Sequence, residues 1–272
     1  VALILVLLVG LGFVAWLAGE PLLRARRRRW LRRRPLPENQ RTLLRRLPLY
    51  RRLPPDLQRQ LCGHLQVFLA EKRFTGCAGL QVTELMRVTI AAQACLLLLN
   101  RPADYFPFLR EILVYPSAFV VERLQVDRLG LHTDLSRVLA GESSSIGQVV
   151  LSWDDAAHGA AIPDDGRNVV IHEFAHQLDQ EFGHANGAPL LARREDYARW
   201  SGVLAEAYAR LQAQLAHGLP TLLDPYAAQD PAEFFAVACE VFFERPASMA
   251  QAEPALYDQL RAYFAVDPLN WS

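Results

Sequence analysis

Apolar residues recur at helical spacing along most of this chain. Leu57, Leu61, Leu65, Phe68 and Leu69 fall on one face of a segment from 56 to about 73, with Asp56 as candidate N-cap. A second helix is expected over 83–99, apolar nearly all round and therefore buried. Trp200, Leu204, Tyr208, Leu211 and Leu215 mark a long amphipathic helix over about 192–217. Asp230-Pro231 opens another, with proline at the first helical position, which stops before Pro246. A last helix is expected over about 254–264. The period changes around Pro116, where 111–122 reads as two short strands, and again at 148–153. That later strand is either a sheet edge that holds an extended peptide by backbone pairing or an ordinary interior strand. Residues 154–166 read as a polar connection. The expected fold class is α+β, mostly helical, with a small β-sheet.

Residues 1–18 carry no charge and are followed by Arg24 and the arginine runs 26–29 and 32–34. Eighteen apolar residues span about 27 Å, which suggests a transmembrane helix over 1–20. The arginines after it would keep their side cytoplasmic. The expected localisation is thus the inner membrane, single-pass, with a cytoplasmic catalytic body; a cytoplasmic protein is the alternative. Pro35, Pro37, Pro48, Pro54 and Pro55 among further arginines make 21–54 a basic Pro/Arg-rich linker, leaving 55–272 as the catalytic domain. Residues 1–52 hold 13 of the 29 basic side chains against Glu20 and Glu38, so the zero net charge hides a basic start and an acidic body. An acidic body argues against nucleic acid as a ligand. Cys62, Cys77, Cys95 and Cys239 are scattered and read as buried thiols rather than a disulfide frame or a cysteine metal site.

The chemistry concentrates at Val169-Val170-Ile171-His172-Glu173-Phe174-Ala175-His176-Gln177-Leu178-Asp179. On a helix, His172 and His176 lie one turn apart on the same face, so both imidazoles reach one metal ion. Glu173 sits beside them as the carboxylate that takes a proton from an attacking water, the arrangement of a zinc hydrolase. Asp179 either orients an imidazole or is a solvated residue late in the helix. A catalytic site needs a third protein ligand. Phe182 and Asp179 occupy the places where a metzincin carries its third His and its Gly, and His184 reads as a surface residue in a turn. Glu195 or Asp196 has a thermolysin-like spacing but lies among Arg193, Arg194 and Arg199. Glu233 is embedded in Phe, Ala and Val, where coordination would relieve the cost of burying its charge. Glu240, seven residues on along the same face, either supports a ligating His or pairs with an arginine.

The His172 segment, the stretch Asp224-Pro225-Tyr226-Ala227-Ala228-Gln229-Asp230-Pro231-Ala232-Glu233-Phe234-Phe235-Ala236-Val237 and the block Val114-Tyr115-Pro116-Ser117-Ala118-Phe119-Val120-Val121 resemble the Mlc titration factor A family of zinc-dependent peptidases. The likeness covers roughly residues 55 to 268. It implies a gluzincin-like metallopeptidase domain, with one Zn²⁺ per chain held by His172, His176 and Glu233. It further implies Glu173 as general base and Tyr226 as hydrogen-bond donor to the transition-state oxyanion. The implied partner is a peptide or protein substrate, hydrolysed in an aminopeptidase or related activity. The alternative is a membrane-tethered regulator that binds and sequesters a transcriptional repressor or other regulatory protein, with the zinc site weakly catalytic.

Overall fold

The computed structural model describes residues 2–102, 104–126, 132–139, 141–144 and 147–271. Its first half comprises α1 (Ala2–Arg33), α2 (Glu38–Leu44), α3 (Pro48–Arg52), α4 (Pro55–Glu71), β1 (Arg73–Gly76) and α5 (Glu84–Leu96). Five strands follow: β2 (Glu111–Tyr115), β3 (Phe119–Val126), β4 (His132–Leu139), β5 (Gly141–Ser144) and β6 (Gln148–Ser152). The remainder is helical: α6 (Trp153–Ala161), α7 (Val169–Asp179), α8 (Asp196–Ala216), α9 (Pro231–Glu244), α10 (Pro246–Ala252) and α11 (Pro254–Phe264).

The described fold is mostly helical around one small sheet. Strands β1, β2 and β6 run parallel in that order, and β5 adds antiparallel to the outer side of β6. Strands β3 and β4 form a separate antiparallel pair. Because side chains alternate across a strand, Ile112, Val114, Val149 and Leu151 all point into the core. Strand β6 is bonded on both sides, so it is the interior strand of the two alternatives and has no free backbone edge. Behind the sheet and helices, Phe174 of α7 meets the rings of Phe68 (5.6 Å) and Phe106 (4.8 Å). A fully buried phenylalanine contributes about 1.5–3 kcal/mol, so this cluster fixes the rear face of α7.

The N-terminal expectation is corrected. Among the described residues no helix is long and apolar enough to cross a membrane. The transmembrane helix over 1–20, and the inner-membrane localisation and membrane contact drawn from it, are therefore overturned. The apolar run at residues 2–18 is the first part of a single helix, α1. The same helix then continues unbroken through Glu20 and the arginines to Arg33. Its basic end is folded onto the body. Arg28 forms a two-pronged ion pair with Glu71 (2.8 and 2.9 Å) and a third contact to Asp104 (2.6 Å), and lies over the Tyr105 ring. Nor is the stretch after it extended: Leu36, Leu44, Leu49, Tyr50 and Leu53 are buried in the same core as α4.

Other boundaries shift for local reasons. Helix α4 starts at Pro55 with Asp56 in its first turn. Thr83 caps α5 by accepting from the Met86 amide. The expected polar connection after β6 is instead α6: the Ser152 hydroxyl accepts from the Asp155 amide (3.3 Å), and Ala156, Gly159 and Ala160 face inward. Acids in a first helical turn are favourable, which is why Asp154 and Asp155 belong to a helix here. The four cysteines are unpaired, Cys95 and Cys239 in the core and Cys62 and Cys77 half-buried.

Candidate metal centre

Helix α7 is set at its start by Asn168, whose side-chain oxygen accepts from the Ile171 amide (3.0 Å). An N-cap of this kind stabilises a helix by about 1 kcal/mol. The apolar side, through Val170, Ile171, Phe174 and Leu178, is buried, which turns His172 and His176 toward α9. Helix α9 begins equally sharply. Asp230 accepts from the amides of Ala232 (2.9 Å) and Glu233 (3.0 Å), and Pro231 occupies the first helical position. Glu233 thus sits in the first turn, facing the two histidines.

Three atoms converge there. His172 Nε2 lies 3.0 Å and His176 Nε2 3.3 Å from Glu233 Oε2, and the two Nε2 atoms are 3.2 Å apart. Among the described residues, this is the one grouping of three or more His, Cys, Asp or Glu side chains able to hold a metal ion. The other nitrogen of His172 is held by an acceptor: Nδ1 lies 2.7 Å from Glu240 Oε1, so Nδ1–H donates and Nε2 is the atom presented to the centre. Glu240 Oε2 also accepts from the Asn168 amide, and Glu244 accepts from the Asn168 side chain (2.9 Å) and the Gly166 amide (3.1 Å). Glu240 thus pairs with His172 and not with an arginine.

The electrostatics suit a cation. Burial by itself lowers the His172 pKa, but the carboxylates of Glu240 and Glu233 outweigh it and hold the imidazole well above its ordinary value. Burial pushes Glu233 up, yet its hydrogen bonds to both imidazoles bring it well below the usual carboxylate range. Two nitrogens and a carboxylate oxygen at these distances share a proton or a cation, and the donor set is one that zinc accepts. Glu173 differs. It is buried, its Oε2 has no hydrogen-bond partner, and burial pushes its pKa up to about 7.

Tyr226 lies on a short 3-10 turn, Pro225–Ala228, with its ring centroid 6.1 Å from that of His172. Asp224 holds this turn, accepting from the Tyr226 amide (3.0 Å) and from Arg167 (2.8 Å), the residue just before the cap of α7. Asp179 matches neither expectation: it is buried and accepts from the Gly187 amide (2.7 Å). His184 is exposed, and Glu195 pairs with Arg193 at the surface, away from the centre. The sequence reading missed Asn168 and Glu244. The available signal was the spacing of Glu233, Glu240 and Glu244, seven and four residues apart on one face of α9.

A family model described as glucose-regulated metallo-peptidase M90 matches residues 22–265. The chain belongs to this family. Its relatives include an uncharacterized protein of Synechocystis sp., 41% identical over 97% of both chains. They also include the Mlc titration factor A of Klebsiella pneumoniae, 36% identical over 82% of this chain and 84% of that one. The Mlc titration factor A of Cronobacter sakazakii is 34% identical over the same shares. The M90 assignment agrees with the resemblance read from the His172, Tyr226 and Glu233 segments, and it makes a metallopeptidase-like protein the coarse functional class.

Proposed function

We propose that this chain is a zinc-dependent peptidase in which His172, His176 and Glu233 hold the metal, Glu173 is the general base and Tyr226 steadies the oxyanion. The carrying observation is the convergence of the two Nε2 atoms and Glu233 Oε2 beside a buried carboxylate with an unpartnered oxygen. When bound, Zn²⁺ supplies a Lewis acid that polarises a peptide carbonyl and acidifies water. Glu173 does the proton work: at a pKa of about 7 it takes a proton from the attacking water and returns it to the departing amine. Tyr226, held by Asp224 next to His172, donates its phenolic hydrogen to the charge developing on the carbonyl oxygen. Glu240 keeps the His172 ring in the tautomer and orientation that expose Nε2.

Glu173→Gln should take up zinc as wild type does while hydrolysis of an unblocked peptide library falls by about 10³-fold or more. Undiminished hydrolysis contradicts the assignment.

A second reading is favoured by the relatives' name, Mlc titration factor A: this chain binds a regulatory protein, and the metal centre is weakly catalytic. Purified Mlc is the probe. On this reading Glu173→Gln captures Mlc as well as wild type, and no binding by either protein rules it out.

A further inference from the structure

Glu233 reaches the histidines from a separate helix, so the geometry of the centre depends on what fixes the start of α9 against α7. Three contacts meet at one residue between them. The Gly187 amide donates to Asp179 Oδ2 (2.7 Å), on the last residue of α7. The Gly187 carbonyl accepts from the Trp200 indole (2.8 Å), a fully buried ring of α8 that also packs edge-on against Phe235 of α9 (5.8 Å). The Gly187 α-carbon lies directly against the Pro231 carbonyl, and a Cβ there would collide with it. Gly187 also has φ +78°, a conformation that glycine alone adopts without strain. Pro231 is the first residue of α9, two before Glu233.

Asp179 carries a cost that needs a reason. It is 4% exposed, and its Oδ1 has no hydrogen-bond partner. An unsatisfied buried oxygen is destabilising, so retaining a carboxylate here suggests that its grip on Gly187 matters more than local comfort.

We infer that Asp179, Gly187 and Trp200 form a brace between the end of α7 and the first turn of α9 that sets the distance from Glu233 Oε2 to the two histidine Nε2 atoms. Asp179 and Gly187 are then positioning residues for metal binding, acting through Glu233. This rests on the reading of His172, His176 and Glu233 as metal ligands.

The test is competition for Zn²⁺ between the full chain and a chromophoric chelator, with helicity followed by circular dichroism. Asp179→Ala is expected to weaken zinc binding by about tenfold or more, within the range for residues that hold ligands in place. Asp179→Asn keeps an oxygen acceptor for the Gly187 amide and should stay within about threefold of wild type. In a Glu233→Ala background, Asp179→Ala should produce no further loss, because the ligand it positions is gone. Should Asp179→Ala unfold, Trp200→Phe keeps an aromatic ring against Phe235 but removes the indole donor and part of the ring's bulk, and should weaken binding by about three- to tenfold. Wild-type affinity in folded Asp179→Ala, an equal loss with Asp179→Asn, or a loss that persists without Glu233 overturns the brace. A wild-type chain that takes up no zinc overturns the ligand reading beneath it.

Discussion

Glu173 and Glu240 are both buried glutamates close to His172, yet their surroundings give them opposite tasks. Glu240 spends both oxygens on donors, the His172 ring and the Asn168 amide, and so holds that ring in place. Glu173 has an oxygen with no partner and a pKa near neutrality, which leaves it able to accept and release a proton. Glu240→Ala should lower zinc affinity by about 10–100-fold, measured by chelator competition, because it frees the imidazole and strands two donors. At this scale the sequence is informative where partners are close along the chain. His172, Glu173 and His176 can be read from one turn of helix. Asp179 cannot, because its partner Gly187 lies in a loop whose path no periodicity specifies.

Among the elements, the ones read well are those with a full amphipathic stripe, such as α8, α9 and α11. Helix α6 looks like a connection in the sequence because its outward residues, Asp154, Asp155 and His158, resemble a loop, and only Ala and Gly mark its inner face. Strand β1 is four residues long and acquires its identity from pairing with β2, a contact remote in sequence. Helix α1 shows the same dependence. Its arginines read as a flank to an apolar run, whereas Arg28 is committed to Glu71 and Asp104. The shielded Glu71 contact contributes about 1.5–3 kcal/mol, whereas the Asp104 contact, whose carboxylate is 61% exposed, contributes about 0.2–1 kcal/mol. Arg28→Ala should therefore loosen α1 from α4 and accelerate limited proteolysis within residues 2–33; an unchanged cleavage rate would contradict the docking.

For the molecule as a whole, the basic first fifth and the acidic remainder do not form independent parts, since residues from both share one core. That core includes a titratable group. His64 is buried with Nδ1 2.9 Å from the Tyr105 hydroxyl, and burial pushes its pKa down to about 4. The unfolded chain binds this proton near the ordinary value of about 6.5, so between those values only the unfolded state is protonated. Stability from this group is present above about pH 6.5 and lost as pH falls toward 4, by up to about 1.4 kcal/mol per pH unit. Urea unfolding at pH 4.5–7 should show a shallower loss for His64→Gln than for wild type, and equal slopes would contradict the buried neutral imidazole.

The account depends on one ion held between α7 and α9. Its most direct test is equilibrium dialysis of chelator-stripped protein against zinc, followed by elemental analysis. One zinc per wild-type chain is expected, with its affinity sharply reduced in Glu233→Ala and its uptake lost when His172 and His176 are both replaced by alanine. A wild-type chain that emerges without metal, or a double replacement that binds as wild type does, contradicts it.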